Sequence, residues 1–248
     1  MLRYVIANWK MHGTLINNET FISAMAAYKP TGVEVGICVP APYLFQLQQL
    51  CEGTECFWGA QDVSEHFEGA YTGEISVDML QDFNTRYVII GHSERRQYHA
   101  ESSGTVARKL DRVMQTPNDR LVPIVCIGEH LSERQDGEVE AVLSEQLDPV
   151  ISVLKLHPNR LALVAYEPVW AIGTGVVATP AEVVETHTWI AKYLYSSLAR
   201  EVPLLYGGSV KADNAGILID LPHVNGFLVG GASLKAETFK PLLDKCAI

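Results

Sequence analysis

Two apolar runs of the sequence lead to side chains that could do acid–base chemistry. The run 161–166 leads directly into Glu167, and the run 87–90 is followed, after one glycine, by His92. A carboxylate at the end of a buried strand is partly removed from water and can act as a general base. An imidazole can donate a hydrogen bond to an oxygen on which negative charge develops. We therefore predict that Glu167 and His92 work in one site. The alternatives are a surface glutamate that starts a loop and a core histidine whose nitrogens are both hydrogen-bonded.

Lys10 is the predicted fixed positive charge. It follows the apolar run 4–7, separated from it only by Asn8 and Trp9. A lysine at the end of a buried strand needs a carboxylate partner or an anionic ligand, and Glu94 is a candidate partner. The alternative is a lysine whose charged end reaches solvent along the rim of the fold.

Two glycine-rich turns predict an anion site that is built from backbone amides. Gly207-Gly208-Ser209 and Gly230-Gly231 lack bulk, so their N–H groups can approach an anion closely. A helix that begins after such a turn adds a partial positive charge. The net charge of −10 cannot attract an anion by itself, so a local phosphate cradle is favoured over two plain turns.

The elements that position these residues are apolar runs that are continuous rather than alternating. Continuous runs are typical of parallel strands that are covered on both faces. Helical spacing fills most of the gaps, most clearly over 137–155 and after a capping sequence that starts at Thr179. The predicted strands are 4–7, 33–39, 56–60, 87–90, 121–127, 161–166, 202–206 and 226–229.

Strands and helices that alternate in this way predict an α/β fold, the (β/α)₈ barrel with eight parallel strands and outer helices. An open doubly wound sheet is the rival, but it usually has a GxGxxG fingerprint after strand one, where this sequence has Asn8-Trp9-Lys10. No linker divides residues 1–248, so a single domain is expected. In a barrel all strand ends open on one face, which would bring the candidate residues together.

Composition excludes several classes of protein. An apolar fraction of 48% excludes a disordered chain, and a net charge of −10 without a basic run gives no footprint for nucleic acid. No stretch approaches the ~18 apolar residues of a membrane-spanning helix. Five cysteines without metal-ligand spacing indicate a reduced, cytoplasmic protein with no bound metal.

Three further features are interpreted from the residues alone. Cys126 is expected to be a small core residue rather than a nucleophile, because no histidine lies near it in sequence. The seven histidines other than His92 show no ligand spacing and are expected mostly in solvent. The segment 168–178 mixes Trp170 with small residues, which predicts a lid that excludes water, or else a plain long loop.

Seven motifs along nearly the whole chain resemble those of the triosephosphate isomerase family. Their number and order make the resemblance specific. They read NWKM at 8–11, GAYTGE at 69–74, GHSERR at 91–96, CIGE at 126–129, AYEPVWAIGTG at 165–175, YGGSV at 206–210 and GGA at 230–232.

The resemblance implies interconversion of D-glyceraldehyde 3-phosphate and dihydroxyacetone phosphate through an enediolate, with no cofactor. It implies that Glu167 moves the proton between C1 and C2 and that His92 hydrogen-bonds the substrate oxygens. Lys10 and Asn8 would stabilise the enediolate.

Supporting residues follow from the same resemblance. Glu94 would pair with Lys10, and Cys126 would lie behind the residues that touch the substrate. The closed lid would keep the enediolate from losing phosphate to water. The amides that would hold the phosphate belong to Gly173, Ser209, Gly230 and Gly231.

The resemblance also implies a homodimer in which the segment 61–76 projects into the partner, with Thr72 near Asn8 and Lys10 of the partner subunit.

Two positions depart from the family pattern. Val176 stands where a long residue is usual after Gly-Thr-Gly, which bears on the motion of the lid. His12 stands where an asparagine is common, which bears on the packing near Lys10.

Other functions remain open on the residues alone. The same barrel could use Lys10 as a Schiff-base nucleophile, as in an aldolase, although such lysines are typically buried without a carboxylate partner. A scaffold protein would not need Glu167, His92 and Lys10 together. A different sugar-phosphate isomerase shares the barrel, but the lid and a tight mouth favour a three-carbon substrate.

Overall fold

The chain forms a closed barrel of eight parallel strands, which confirms the predicted fold. The computed structural model describes residues 2–117, 119–172 and 177–248. Each strand pairs with the next in sequence, and the last pairs with the first. The strands are β1 (Arg3–Asn8), β2 (Val33–Val39), β3 (Cys56–Ala60), β4 (Tyr87–Ile90), β5 (Val122–Ile127), β6 (Leu163–Tyr166), β7 (Leu204–Tyr206) and β8 (Gly226–Val229).

The strand bounds follow the apolar runs closely. β6 and β7 each begin two residues later than the runs 161–166 and 202–206. Pro203 explains the late start of β7, because a proline has no N–H for the hydrogen-bond ladder. Pro123 is tolerated inside β5, where it stands opposite Val88 of β4.

Helices in the described ranges connect the strands and surround the barrel. Thr179 caps the helix Pro180–Leu198, and Glu182 completes the capping box, as predicted. Spacing did not predict the helices Leu44–Cys51, Val77–Asp82, Ser93–His99 and Leu131–Gln135. The last two bury no side chain and have no apolar stripe. The helices are α1 (Leu15–Met25), α2 (Leu44–Cys51), α3 (Val77–Asp82), α4 (Ser93–His99), α5 (Ser103–Met114), α6 (Leu131–Gln135), α7 (Val139–Leu156), α8 (Pro180–Leu198), α9 (Ala212–Ile219) and α10 (Ala236–Cys246).

The barrel interior is a packed core of its own, separate from the layer between strands and helices. Tyr87 is its largest side chain and is fully buried. Gly36 makes room for it, since a Cβ at that position would lie 2.8 Å from the Tyr87 ring. The core therefore fixes β2 and β4 against each other below the mouth, which keeps the strand ends in register.

The prediction of solvated histidines is wrong for His187. Its side chain is completely buried, with Nδ1 3.0 Å from the carbonyl oxygen of His223. His187 lies on the apolar row of α8 with Val183, Ile190 and Leu194, a spacing that could have placed it in the core. Burial lowers the pKa of His187 to about 4.

All five cysteines are buried free thiols. Within the described residues, no helix combines the length and the apolar character that crossing a membrane requires.

Candidate active site

The carboxyl ends of the strands open into one cavity of about 810 Å³. β1 supplies Asn8 and, just beyond it, Lys10, whereas His92 and Glu167 follow β4 and β6. The glycine-rich turns after β7 and β8 complete the wall. The structure thus brings together the following predicted residues: Asn8, Lys10, His92, Glu167, Ser209, Gly230 and Gly231.

Among the charged residues that line the cavity, Glu167 is the most enclosed, with only 2% of its surface exposed. Its Oε2 accepts the backbone N–H of Ser93 at 3.1 Å, and its Oε1 lies 3.1 Å from His92 Nε2. Ser93 is the first residue of α4, so the carboxylate sits at a helix N-terminus, where negative charge is stabilised. The carboxylate is therefore desolvated but not left unpaired.

Two glycines allow Glu167 to approach its neighbours this closely. A Cβ at Gly128 would lie 1.7 Å from the carbonyl oxygen of Glu167, and a Cβ at Gly207 would lie 2.8 Å from its Cγ. Real Cβ atoms do not make such contacts. The absence of side chains at both positions is therefore a condition for the observed place of Glu167.

The hydrogen bonds of His92 define its tautomer. Nδ1 accepts the backbone N–H of Glu94 at 3.2 Å, so this nitrogen carries no proton. A neutral ring then carries its proton on Nε2, which faces Glu167 and the cavity. His92 is thus positioned as a hydrogen-bond donor toward the space where a ligand would bind.

Lys10 is held by an ion pair and by an unusual backbone conformation. Its Nζ lies 2.5 Å from Glu94 Oε1, which is the predicted pairing. Its φ of 52° is in the left-handed region, and its N–H donates to Asn8 Oδ1 at 3.1 Å. Non-glycine residues in that region cost about 1 kcal/mol or more and cluster at functional sites.

Backbone N–H groups are available at both glycine-rich turns. Those of Ser209, Gly230 and Gly231 donate no hydrogen bond within the described part of the chain. Side chains fix the turns instead, since Asn214 donates to the Ser209 carbonyl and Ser233 to the Gly230 carbonyl. These free donors at one wall suit an anion. Gly173, the remaining predicted contact, lies outside the described residues.

Cys126 lies behind Glu167 in the barrel interior and is completely buried. Burial raises the pKa of its thiol, and the Glu167 carboxylate raises that pKa further. Cys126 therefore stays a neutral thiol, in line with the expectation that it is no nucleophile. Arg96 links the same strand ends, donating to the carbonyls of Gly91 and Cys126.

A buried carboxylate fixes the start of the predicted lid. Glu129 is fully buried, and its Oε1 accepts from Tyr166 Oη at 3.0 Å, from Trp170 Nε1 at 2.9 Å and from Arg134 Nη1 at 2.9 Å. The Ser209 hydroxyl donates to the Ala171 carbonyl at 2.8 Å, which ties the same segment to the β7 turn. Of the predicted lid, residues 173–176 lie outside the described residues, and with them Val176.

Sequence reasoning missed the contacts of Ser93, Gly128, Gly207 and Glu129. The first follows His92 directly, so a helix start at that point was the available signal. Gly207 was predicted only as part of the anion turn, and Gly128 and Glu129 only as part of the CIGE motif. Their contacts with Glu167 and with the lid segment join strand ends that are distant in sequence, so no local pattern indicated them. His12 is exposed in the loop after β1.

Comparison with known proteins gives one consistent result. The model of the triosephosphate isomerase family matches residues 3–246. A triosephosphate isomerase of Xanthomonas campestris is 48% identical over 244 residues, covering 96% of each chain. The triosephosphate isomerase of Bordetella pertussis is 47% identical, and the match covers 96% of this chain and 94% of the relative. That of Nitrosomonas eutropha is 43% identical, and the match covers 95% of this chain and 94% of the relative.

Proposed function

Because the chain belongs to the triosephosphate isomerase family and interconverts D-glyceraldehyde 3-phosphate and dihydroxyacetone phosphate, we propose that Glu167 is the base of this reaction and His92 its electrophile. One observation carries the proposal: Glu167 Oε1 lies 3.1 Å from His92 Nε2 inside the cavity that Lys10 also lines. A base, a hydrogen-bond donor and a cation face one space. Proton abstraction next to a carbonyl needs this set.

The proton transfers balance without any other reagent. Glu167 removes a proton from C1 of dihydroxyacetone phosphate, the electrons of that C–H bond form the C1–C2 double bond, and the carbonyl electron pair moves to O2. A proton then passes from O1 to O2, and the protonated Glu167 returns its proton to C2. The products are glyceraldehyde 3-phosphate and the original carboxylate. We therefore propose that the reaction uses no cofactor and no metal.

His92 serves the oxygens rather than the carbons in this proposal. Its Nε2–H donates to O1 and O2 in turn as negative charge develops on them. In the free enzyme that donor faces Glu167, so a substrate oxygen takes the place of the carboxylate. Glu167 also leaves the Ser93 N–H when it turns toward the substrate carbon.

Lys10 and Asn8 are proposed to stabilise the enediolate. The Lys10 ammonium is ion-paired with Glu94, so it is a cation held in place and has no free electron pair to attack a carbonyl. That pairing supports the isomerase over a Schiff-base mechanism. Asn8 is buried beside it. Its Oδ1 accepts the backbone N–H of Lys10, so its side-chain NH₂ group is the part that can donate into the cavity.

The phosphate group is proposed to bind at the two glycine-rich turns. Ser209, Gly230 and Gly231 offer backbone N–H groups there, and Gly173 is proposed as the fourth contact. The Ser209–Ala171 hydrogen bond supports a lid over this site, because it connects the phosphate turn to the lid segment. A closed lid would exclude water from the enediolate.

We also propose that the chain works as a homodimer through the segment 61–76. Phe67 and Tyr71 of this segment expose 58% and 44% of their surface, and apolar area that is exposed together on one segment is typical of an interface. A second cavity of about 390 Å³ opens beside Asn8 and Lys10 and is lined by Met11 and Tyr98. The tip of the partner's segment, with its Thr72, is the proposed occupant.

The proposed location is the cytoplasm, with triose phosphate rather than nucleic acid or membrane as the partner. The support is chemical: the chain carries a net charge of −10, and its five cysteines are free thiols.

Replacing Glu167 by Asp tests the proposal. The shorter side chain withdraws the carboxylate by about an ångström, and a displacement of that size can cost about 10²-fold in rate. We expect fast conversion of glyceraldehyde 3-phosphate by the purified protein without added metal, and a kcat lower by roughly that factor in the Glu167→Asp variant. Glu185→Asp, an exposed position on α8, is the matched control and should keep the full rate.

Equal rates in the wild type and the Glu167→Asp variant would remove Glu167 from the mechanism. A substrate adduct trapped by borohydride would instead point to Lys10 as a Schiff-base nucleophile. Absence of conversion in every protein would contradict the function itself.

A further inference from the structure

The cavity at the barrel mouth continues outward beyond the residues of the proposed mechanism. Its outer wall is formed by the first turns of α9 and α10, which begin directly after Lys211 and Lys235. Both lysines line the cavity together with Thr238 and Pro241. A substrate that enters from solvent meets this wall before it reaches Glu167.

These two lysines differ from the lysine inside the site. Lys10 is compensated by Glu94 at 2.5 Å. Lys211 and Lys235 are exposed, and neither forms an ion pair with any residue of the described ranges. Their charge is therefore free to act on an anion in the cavity.

The charge of the cavity depends on this pair. Three cations and three carboxylates line the cavity, so its wall is neutral while the whole molecule carries −10. Removal of both lysines would leave the wall with excess negative charge, and a phosphate dianion would be repelled. The charged residues are Lys10, Lys211, Lys235, Glu167, Asp213 and Glu237.

The helix N-termini at this wall partly offset the negative charge of Asp213 and Glu237, so these carboxylates do not fully neutralise the two lysines. Asp213 and Glu237 lie in the first turns of α9 and α10, where the helix dipole stabilises negative charge. The same helix ends contribute partial positive charge to the wall. The two lysines and the two helix N-termini thus place positive charge on this wall of an acidic protein.

We propose that Lys211 and Lys235 capture the phosphate group of the substrate and deliver it to the inner turns. This inference rests on the proposed function, because it concerns the route to the same site. The lysines touch no reacting atom and act on binding of the dianion. Charge of one sign at a cleft raises association rates by about 10–10³-fold, and salt screens the effect.

The test is the double variant K211Q/K235Q, measured with glyceraldehyde 3-phosphate at low and high ionic strength. We expect kcat/KM to fall about tenfold at 0.01 M ionic strength, with the loss carried by KM. At 0.2 M the difference should shrink to less than about threefold, because the screening length then falls below ~10 Å. The inhibition constant of inorganic phosphate should rise in parallel.

Three further variants separate capture from other effects. K155Q/K192Q removes the same charge from exposed positions on α7 and α8 and should keep the wild-type kcat/KM. K211R/K235R keeps the charge and should restore the salt-dependent value. D213N/E237Q removes negative charge from the same wall and should raise kcat/KM at low ionic strength.

The proposal is overturned if K155Q/K192Q loses as much as K211Q/K235Q, since net charge alone would then explain the effect. A loss in kcat that salt does not change, or a loss that arginine does not restore, would indicate a structural role and also contradict capture. Inactivity of the wild type would count against the proposed function instead. Calorimetric binding of inorganic phosphate to the same variants tests the lysines independently of turnover.

Discussion

The place of Glu167 depends on neighbours that have no side chain. Gly207 contributes nothing to the cavity except space, yet a Cβ there would lie 2.8 Å from Glu167 Cγ and 3.3 Å from the Tyr166 carbonyl oxygen. The first atom is part of a side chain, so the conflict can be relieved by moving the carboxylate. A substitution at Gly207 therefore acts on the proposed base rather than on the fold.

We predict that Gly207→Ala lowers kcat by about 10²-fold, because the displaced carboxylate no longer meets the substrate carbon. Steady-state kinetics measures this change, and urea unfolding should show a much smaller effect on the free energy. Gly216→Ala is the matched control: it lies in α9, and the nearest atom to its Cβ would be Lys245 Cδ at 3.8 Å. It should keep kcat and stabilise the helix by up to about 1 kcal/mol. A Gly207→Ala variant with wild-type kcat would contradict the positioning argument.

At this scale the sequence identifies which residues meet at the barrel mouth, but not how they contact one another. Lys10, His92 and Glu167 could be selected because each follows an apolar run, and barrel strands end on one face. The tautomer of His92 and the Ser93–Glu167 hydrogen bond depend on the start of α4, a helix without an apolar stripe. Such contacts follow from backbone geometry that no local spacing encodes.

Among the elements, α4, α5 and the segment 61–76 are joined by a buried ionic cluster. Lys109 of α5 lies 2.6 Å from Asp62 Oδ1 and 2.5 Å from Glu101 Oε1. Arg95 of α4 pairs with the same two carboxylates. Burial raises the pKa of Asp62, and the neighbouring cations oppose that rise. The cluster therefore holds the proposed dimer segment against the barrel through Lys109 and Arg95.

We predict that Lys109→Met lowers the free energy of unfolding by up to about 3–5 kcal/mol, since it removes the buried one of the two cations that Asp62 and Glu101 share and leaves only Arg95. Urea unfolding monitored by circular dichroism measures this. Lys29→Met, which breaks the exposed pair with Glu55, is the control and should cost less than about 1 kcal/mol. Similar losses in the two variants would show that burial of the cluster contributes nothing.

The sequence predicts the barrel elements unevenly, for a physical reason. Strands covered on both faces are apolar along most of their length, so β2, β3, β4 and β8 could be located to the residue. The late starts of β6 and β7 depend on where neighbouring strands begin to pair, which the runs do not contain. α6 has five residues and no buried side chain, so its stability comes from its surroundings rather than from its own pattern.

For the molecule as a whole, buried titratable groups away from the site limit the pH range of stability. His187 lies between the rings of Tyr166 and Tyr206, at centroid distances of 5.7 and 6.2 Å, and only the His223 carbonyl contacts its Nδ1 among the described residues. Burial is the main cause that lowers its pKa, from 6.5 to about 4. The folded protein therefore holds this imidazole neutral.

This pKa difference makes stability fall on the acid side. Between pH 6.5 and about 4 the unfolded chain binds a proton at His187 that the folded chain does not bind. The neutral, buried His187 therefore contributes about 3 kcal/mol to the free energy of unfolding above pH 6.5. This contribution is lost as the pH falls from 6.5 toward 4. We predict that His187→Asn, whose amide can still donate to the His223 carbonyl, removes this part of the slope. Urea unfolding at a series of pH values from 4.5 to 7.5 compares the two proteins. If the two free energies of unfolding differ by the same amount at every pH, other groups cause the acid sensitivity and the prediction is wrong. If the difference between them narrows as the pH falls, the burial of the His187 ring causes it.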